Sequence, residues 1–204
     1  MILMRYSKTD GAEFISHLDM LKNLGRTFKR ANIEVKFSNG FHPHLLVYMS
    51  APIGVGIKSY SEYSVIDTEE PPESFKEKFN RFSQKGIKCT GAWTVEGKVG
   101  VASDIVKAKY LISGINDFDE NEILNSDEFI ISDKDGKEKN VRDKIYSIEK
   151  SDGKITCVLG FASGLRVEKF VENLLHRYGG NDIDITKEEG LTFDGVPFER
   201  SLNG

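Results

Sequence analysis

The sequence predicts an α+β protein of two consecutive halves, each running β-α-β-β-α-β. Three observations predict it. The chain has 204 residues, room for two domains of roughly 100 residues each. Apolar residues make up 39% of it, with thirteen Phe, seven Tyr and one Trp, which is enough core material to exclude disorder over most of the length. Segments of strand-like and helix-like patterning recur in similar order on either side of Gly97–Ser103 (GKVGVAS), which reads as a linker. The first half then covers residues 1–96 and the second 104–204.

In the first half, Ile2–Ser7 alternates apolar and polar residues as a strand, and Thr9-Asp10-Gly11 is a turn. Ser16-His17-Leu18-Asp19 is a capping-box pattern, with Ser16 as N-cap and Asp19 reaching back. The helix that follows carries an apolar stripe of Leu18, Leu21, Leu24, Gly25 and Phe28 and ends near Ala31-Asn32. Ile33–Phe37 is short and extended, Ser38-Asn39-Gly40 turns the chain, and His44–Ala51 and Tyr60–Asp67 read as strands. Pro71-Pro72 open a second helix with its stripe at Phe75, Phe79 and Phe82, and Ile87–Val95 closes the half.

In the second half, Ile105–Ser113 is a strand and Asp119–Asn125 a short helix. Phe129–Ser132 and the segment around Ile145–Glu149 read as strands joined through an Asp135-Gly136 hairpin turn, with an extra hairpin strand expected. Ile155–Phe161 is the next strand, Arg166–His176 a helix with Val167, Phe170, Val171 and Leu174 on one side, and Ile183–Ile185 and Leu191–Phe193 finish the chain. Both halves have the element order of a ferredoxin-like unit, so the expected architecture is two such units in tandem.

Composition narrows the chemistry. No apolar run approaches the roughly 18 residues of a membrane span, and Arg5 and Lys8 interrupt the start before a signal peptide could form, so a cytoplasmic protein without membrane contact is expected. Cys89 and Cys157 stand alone, without CxxC spacing, and read as buried apolar fillers. Two cysteines cannot supply the three thiolates that hold a radical-SAM iron–sulfur cluster. The net charge of −4 is unevenly spread: residues 1–60 hold eight Lys/Arg against four acids, and the remainder 20 against 28. A basic N-terminal part suits an anionic partner, although solvated helix faces vary as much.

Within that basic part, Lys22, Arg26, Lys29 and Arg30 fall together on one face of the first helix, where they can track phosphates. Phe37 and Phe41 are nearby aromatics able to stack on unpaired bases. A solvated helix face and core phenylalanines account for the same residues, and the aromatic strand motif of RNA-binding ferredoxin-like domains is absent. His17, Ser38 and His44, set beside Lys22 or Arg26, form a candidate acid–base set for a phosphodiester, with His17 as general base. His42 and His44, with His17 or Asp19, have the residue types of a metal site, but capping already occupies Asp19, so no metal is expected. Gly54-Val55-Gly56 lacks the lysine and hydroxyl of a phosphate loop, and Asp133-Lys134-Asp135-Gly136 lacks the twelfth-position Glu of a calcium loop.

The run His17-Leu18-Asp19-Met20, then Phe37-Ser38-Asn39-Gly40-Phe41-His42-Pro43-His44, Pro52–Val55 and Glu62-Tyr63, resembles the bacterial radical-SAM-linked family, a domain of unknown function. Weaker echoes lie at Lys139–Arg142 and Gly164–Val167. The family's Asn and second Pro are His42 and Leu45 here. The resemblance implies a protein encoded beside, or fused to, a radical-SAM iron–sulfur enzyme, often near genes for RNA processing. It carries over no catalytic residues.

Three functions follow as expectations. The first is an accessory binding module that needs no cofactor of its own. It presents RNA or a ribonucleoprotein to a separate radical-SAM enzyme, with His17 and His44 orienting the substrate, Arg26 holding a phosphate and Phe41 stacking. The second is a metal-independent endoribonuclease, by analogy with the tandem ferredoxin-like CRISPR repeat-processing enzymes. The third is a structural subunit. All depend on His17 and His44 converging on one polar pocket.

Overall fold

The computed structural model describes every residue except Lys98, Asp133, Lys134, Ala162, Ser163 and Gly204. The chain is mixed α+β, mostly sheet with four helices among the described residues, and divides into two compact units, Met1–Ala102 and Ser103–Gly204. Lys98 of the expected linker, and Asp133 and Lys134 of the expected hairpin turn, lie outside the described residues. No helix among the described residues is long and apolar enough to cross a membrane.

The first unit runs β1 (Ile2–Lys8), α1 (His17–Arg30), β2 (Val47–Met49), β3 (Lys58–Ile66), α2 (Pro72–Phe82) and β4 (Ile87–Thr94). Its strands lie in the order β4-β1-β3-β2, every pair antiparallel, with Arg5 opposite Tyr63 and Gly91, and Met49 opposite Ser64. The core is built on Ile2, Met4 and Tyr6 from β1, Met20, Leu24 and Phe28 from α1, and Phe75 and Phe79 from α2. Phe28 lies 5.9 Å, ring to ring, from both Phe75 and Phe79. Burial of such a side chain stabilises the fold by about 1.5–3 kcal/mol. Pro72 opens α2 at a position whose missing N–H costs nothing. Asn80, near the end of that helix, pins β4: its Nδ2 donates to the Cys89 carbonyl (2.9 Å) and its Oδ1 accepts from the Cys89 amide (2.8 Å).

Several expected details change. The buried face of α1 is Met20, Leu24, Thr27 and Phe28, not the stripe through Leu18, which is 70% exposed. The helix is turned toward Met20 because the phenylalanines of α2 take up Phe28 from that side. Ile33–Phe37, expected to be short and extended, belongs to no strand and makes one isolated bridge, Phe37 to Leu45. The expected strand His44–Ala51 shortens to Val47–Met49, because His44 and Leu45 are used to close a loop.

The second unit runs β5 (Lys107–Ile115), α3 (Glu120–Leu124), β6 (Ile130–Ser132), β7 (Glu138–Asn140), β8 (Ile145–Ser151), β9 (Lys154–Leu159), α4 (Val167–Tyr178) and β10 (Gly180–Leu191). The order β10-β5-β9-β8 is again antiparallel, and β6 pairs only with β7, as a separate hairpin. So Ile145–Ser151 does not partner Ile130–Ser132, as the sequence had suggested; it pairs with β9 across the Asp152-Gly153 turn. The two short terminal strands expected near residues 183–193 are one strand of 12 residues. Register shifts between Gly180 and Asp184 and between Lys187 and Glu189 break its alternation, which hid it from a period-two pattern.

Candidate functional site

Ser16 caps α1: its hydroxyl oxygen accepts from the Asp19 amide (3.2 Å) and its hydroxyl donates to Asp19 Oδ2 (2.8 Å). Lys22 Nζ donates to Asp19 Oδ1 (3.1 Å). The Ser16 hydroxyl and the Lys22 ammonium hold the Asp19 carboxyl below the usual carboxylate range. The capping carboxylate thus reaches the Ser16 side chain rather than its amide. His17 is exposed on the first helical residue, and no hydrogen bond joins it to Ser38 or His44 among the described residues.

Ser38 and His44 do come together. The Ser38 amide donates to the His44 carbonyl (2.8 Å), the His44 amide donates to Ser38 Oγ (3.1 Å), and Ser38 Oγ lies 2.8 Å from His44 Nδ1. In the tautomer with its proton on Nε2, the ring accepts from the Ser38 hydroxyl while that oxygen accepts the His44 amide. Nucleophilic serine chemistry needs a third group to orient the base. Among the described residues no carboxylate is hydrogen-bonded to His44. The pair closes a loop instead, and at its tip Phe41 is 101% exposed, with Phe37 58% exposed at its base.

The loop rests on α1. A Cβ added to Gly25 would stand 2.7 Å from Leu45 Cδ1, so Leu45 packs where the helix has no side chain. Lys22 and Lys29, at i−3 and i+4 from Gly25, share its face, and Arg26 is the next residue round. Lys22, Arg26, Lys29 and Arg30 are all exposed; Lys22 pairs with Asp19, Arg30 donates to the Thr27 hydroxyl (3.4 Å), and Arg26 and Lys29 make no ion pair among the described residues. His17 lies eight residues before Gly25, about 12 Å along the helix axis, and no hydrogen bond joins it to the Ser38–His44 pair among the described residues.

Sequence reasoning missed the Gly25–Leu45 seat. Its only signal was a glycine inside a helical stripe, which marks close approach as readily as a weak point in the helix. The first unit also holds a cleft of about 450 Å³ lined by Lys36, Glu69, Glu70 and Lys78. Its cations are matched, Lys36 to Glu69 (2.7 Å) and Asp67 (3.2 Å) and Lys78 to Glu70 (2.6 Å), which leaves little for a charged ligand. No group of three His, Cys, Asp or Glu among the described residues is placed to hold a metal ion.

Residues 1–173 match a family model described as an uncharacterized protein conserved in bacteria (DUF2344). No curated protein matches the chain.

Proposed function

We propose, from the premise that this chain belongs to the bacterial DUF2344 family, that it is an accessory binding module. It holds an RNA or ribonucleoprotein substrate for a separate radical-SAM enzyme, in the cytoplasm. One observation carries the binding part. Leu45 packed at Gly25 seats the loop that carries the exposed Phe37 and Phe41 on α1, the helix that carries the exposed Lys22, Arg26 and Lys29. Exposed rings on one element and exposed cations on the element it packs against are what unpaired bases and their phosphates require. The strand order in both units, fourth-first-third-second, supports reading them as tandem ferredoxin-like halves, the second carrying an inserted hairpin. The enzyme partner is inferred from the motifs at His17–Met20 and Phe37–His44; that partner supplies the iron–sulfur cluster and S-adenosylmethionine.

Anisotropy of labelled oligouridine and transfer RNA, titrated across salt, tests the RNA reading. Log affinity should fall with log salt by about 0.7 per neutralised phosphate of a single strand. Weak binding with no salt dependence rejects it. Co-purification with the neighbouring iron–sulfur enzyme tests the partner.

The Ser38–His44 contact favours one second reading, a metal-independent endoribonuclease. Labelled RNA left intact in the presence of EDTA rules it out.

A further inference from the structure

We infer that Ser38 and His44 act as a clasp, positioning residues that hold Phe41 in its presenting conformation; this rests on the RNA-binding reading above. The ring of Phe41 is wholly exposed, so no packing fixes where it points. What fixes it is the backbone. Three hydrogen bonds between Ser38 and His44 shut the base of the loop, two of them through the Ser38 hydroxyl, and the Leu46 amide donates to the Lys36 carbonyl (2.9 Å) just outside them, completing the Phe37–Leu45 bridge.

Inside the clasp Pro43 has its φ set by its ring and restricts His42 before it. Gly40 turns at φ +121°, which its lack of a side chain allows but does not enforce. The open stretch from Asn39 to His42 is short, so closing its base narrows the conformations open to it before any ligand arrives. Pre-ordering matters because fixing each backbone residue on binding costs about 1–2 kcal/mol. Without the Ser38 hydroxyl, both side-chain bonds go, and only the two backbone bonds of the Phe37–Leu45 bridge, from the Ser38 and Leu46 amides, remain. The loop then has to be ordered at the expense of affinity, although no group that touches the ligand has changed.

The test uses the full chain and fluorescein-labelled oligouridine. Phe41→Ala removes a stacking ring and should weaken binding about tenfold. Ser38→Ala should weaken it about three- to tenfold, with Ser38→Thr, which keeps the hydroxyl, restoring most of the loss. The double variant should bind no worse than Phe41→Ala alone, because the clasp works only through that ring. Hydrogen exchange of the 39–44 amides should speed up in Ser38→Ala while α1 stays protected. Unchanged binding by Ser38→Ala, alongside a weakened Phe41→Ala, overturns the clasp and leaves the RNA reading standing. Unchanged exchange in the loop also overturns the clasp. Failure of the wild-type chain to bind overturns both.

Discussion

Leu45 occupies the space that a side chain at Gly25 would fill, with only 2.7 Å between its Cδ1 and an ideal Cβ. The contact ties the loop that carries the exposed Phe37 and Phe41 to a helix twenty residues earlier that carries exposed cations. Glycine in a helix interior is about 1 kcal/mol less favourable than alanine. Its presence at residue 25 is therefore set against local helix stability and in favour of this approach.

Gly25→Ala separates the two effects. The helix gains up to about 1 kcal/mol from propensity, while Leu45, a flexible side-chain end, is pushed off its seat. The melting temperature should hold or rise as RNA affinity falls. A variant both stable and fully competent to bind would show that the seat has no part in the surface.

Among the described residues Arg26 and Lys29 make no ion pair, although Arg26 feels the Asp19 carboxylate at longer range, so their charges are available to an anion. Replacing both with Gln should lower the salt slope of single-strand binding by about 1.4, from about 0.7 per phosphate. Lys22, already paired with Asp19 at 3.1 Å, should contribute less when replaced alone. An unchanged slope in the double variant would place the nucleic acid elsewhere.

How much of this was legible in the sequence depended on how local each cause was. The Ser16 cap, the Pro72 start of α2 and the phenylalanines at 75 and 79 are set within a turn or two of themselves, and all three were read correctly. The rotation of α1 was not, because Leu18 and Met20 are equally apolar and only packing against α2 decides which is buried. β10 was missed for another reason. Its Lys187-Glu188-Glu189 run looks like loop, yet Lys187 is fully buried, with Nζ 4.7 Å from the centre of the Phe161 ring. As for the site, Ser38 and His44 are candidate reacting groups in the sequence and the structure brings them together, with 2.8 Å between Oγ and Nδ1, while no hydrogen bond joins His17 to them among the described residues.

In the second unit Arg142, just after β7, ties α3 to the start of β8. Its guanidinium donates to the Ile123 and Ile145 carbonyls, each at 2.8 Å, and to the Leu124 carbonyl. Two of those acceptors belong to the last turn of α3; the Ile123 carbonyl also takes the Ser126 amide (3.2 Å). Hydrogen bonds from a charged donor are worth about 1.5–3 kcal/mol each, and the three act together. Arg142→Met should therefore lower unfolding free energy by about 2–4 kcal/mol, read as a lower urea midpoint at constant m. A loss below about 0.5 kcal/mol would mean that water replaces these bonds without penalty.

Alkaline pH should destabilise the chain before its lysines discharge. Burial pushes the Cys89 thiol up to about 12, and burial raises Cys157 as well. Tyr6 is raised by burial first and by the neighbouring Glu62 carboxylate second. In the unfolded chain these groups ionise near their ordinary values, about 8.5 for a thiol and about 10 for a phenol. The stability they contribute is whole below about pH 8.5 and is lost as the pH climbs toward the folded values. Lys8 has the opposite sign: burial lowers its amine, so the penalty it carries is relieved as pH rises through that lowered value. Three acids against one amine leave a net loss. The urea midpoint should fall between about pH 8.5 and about pH 11, and neither cysteine should react with a thiol reagent at neutral pH until the chain is unfolded. Rapid labelling of native Cys89 would show that its strand opens far more readily than the two Asn80 hydrogen bonds imply.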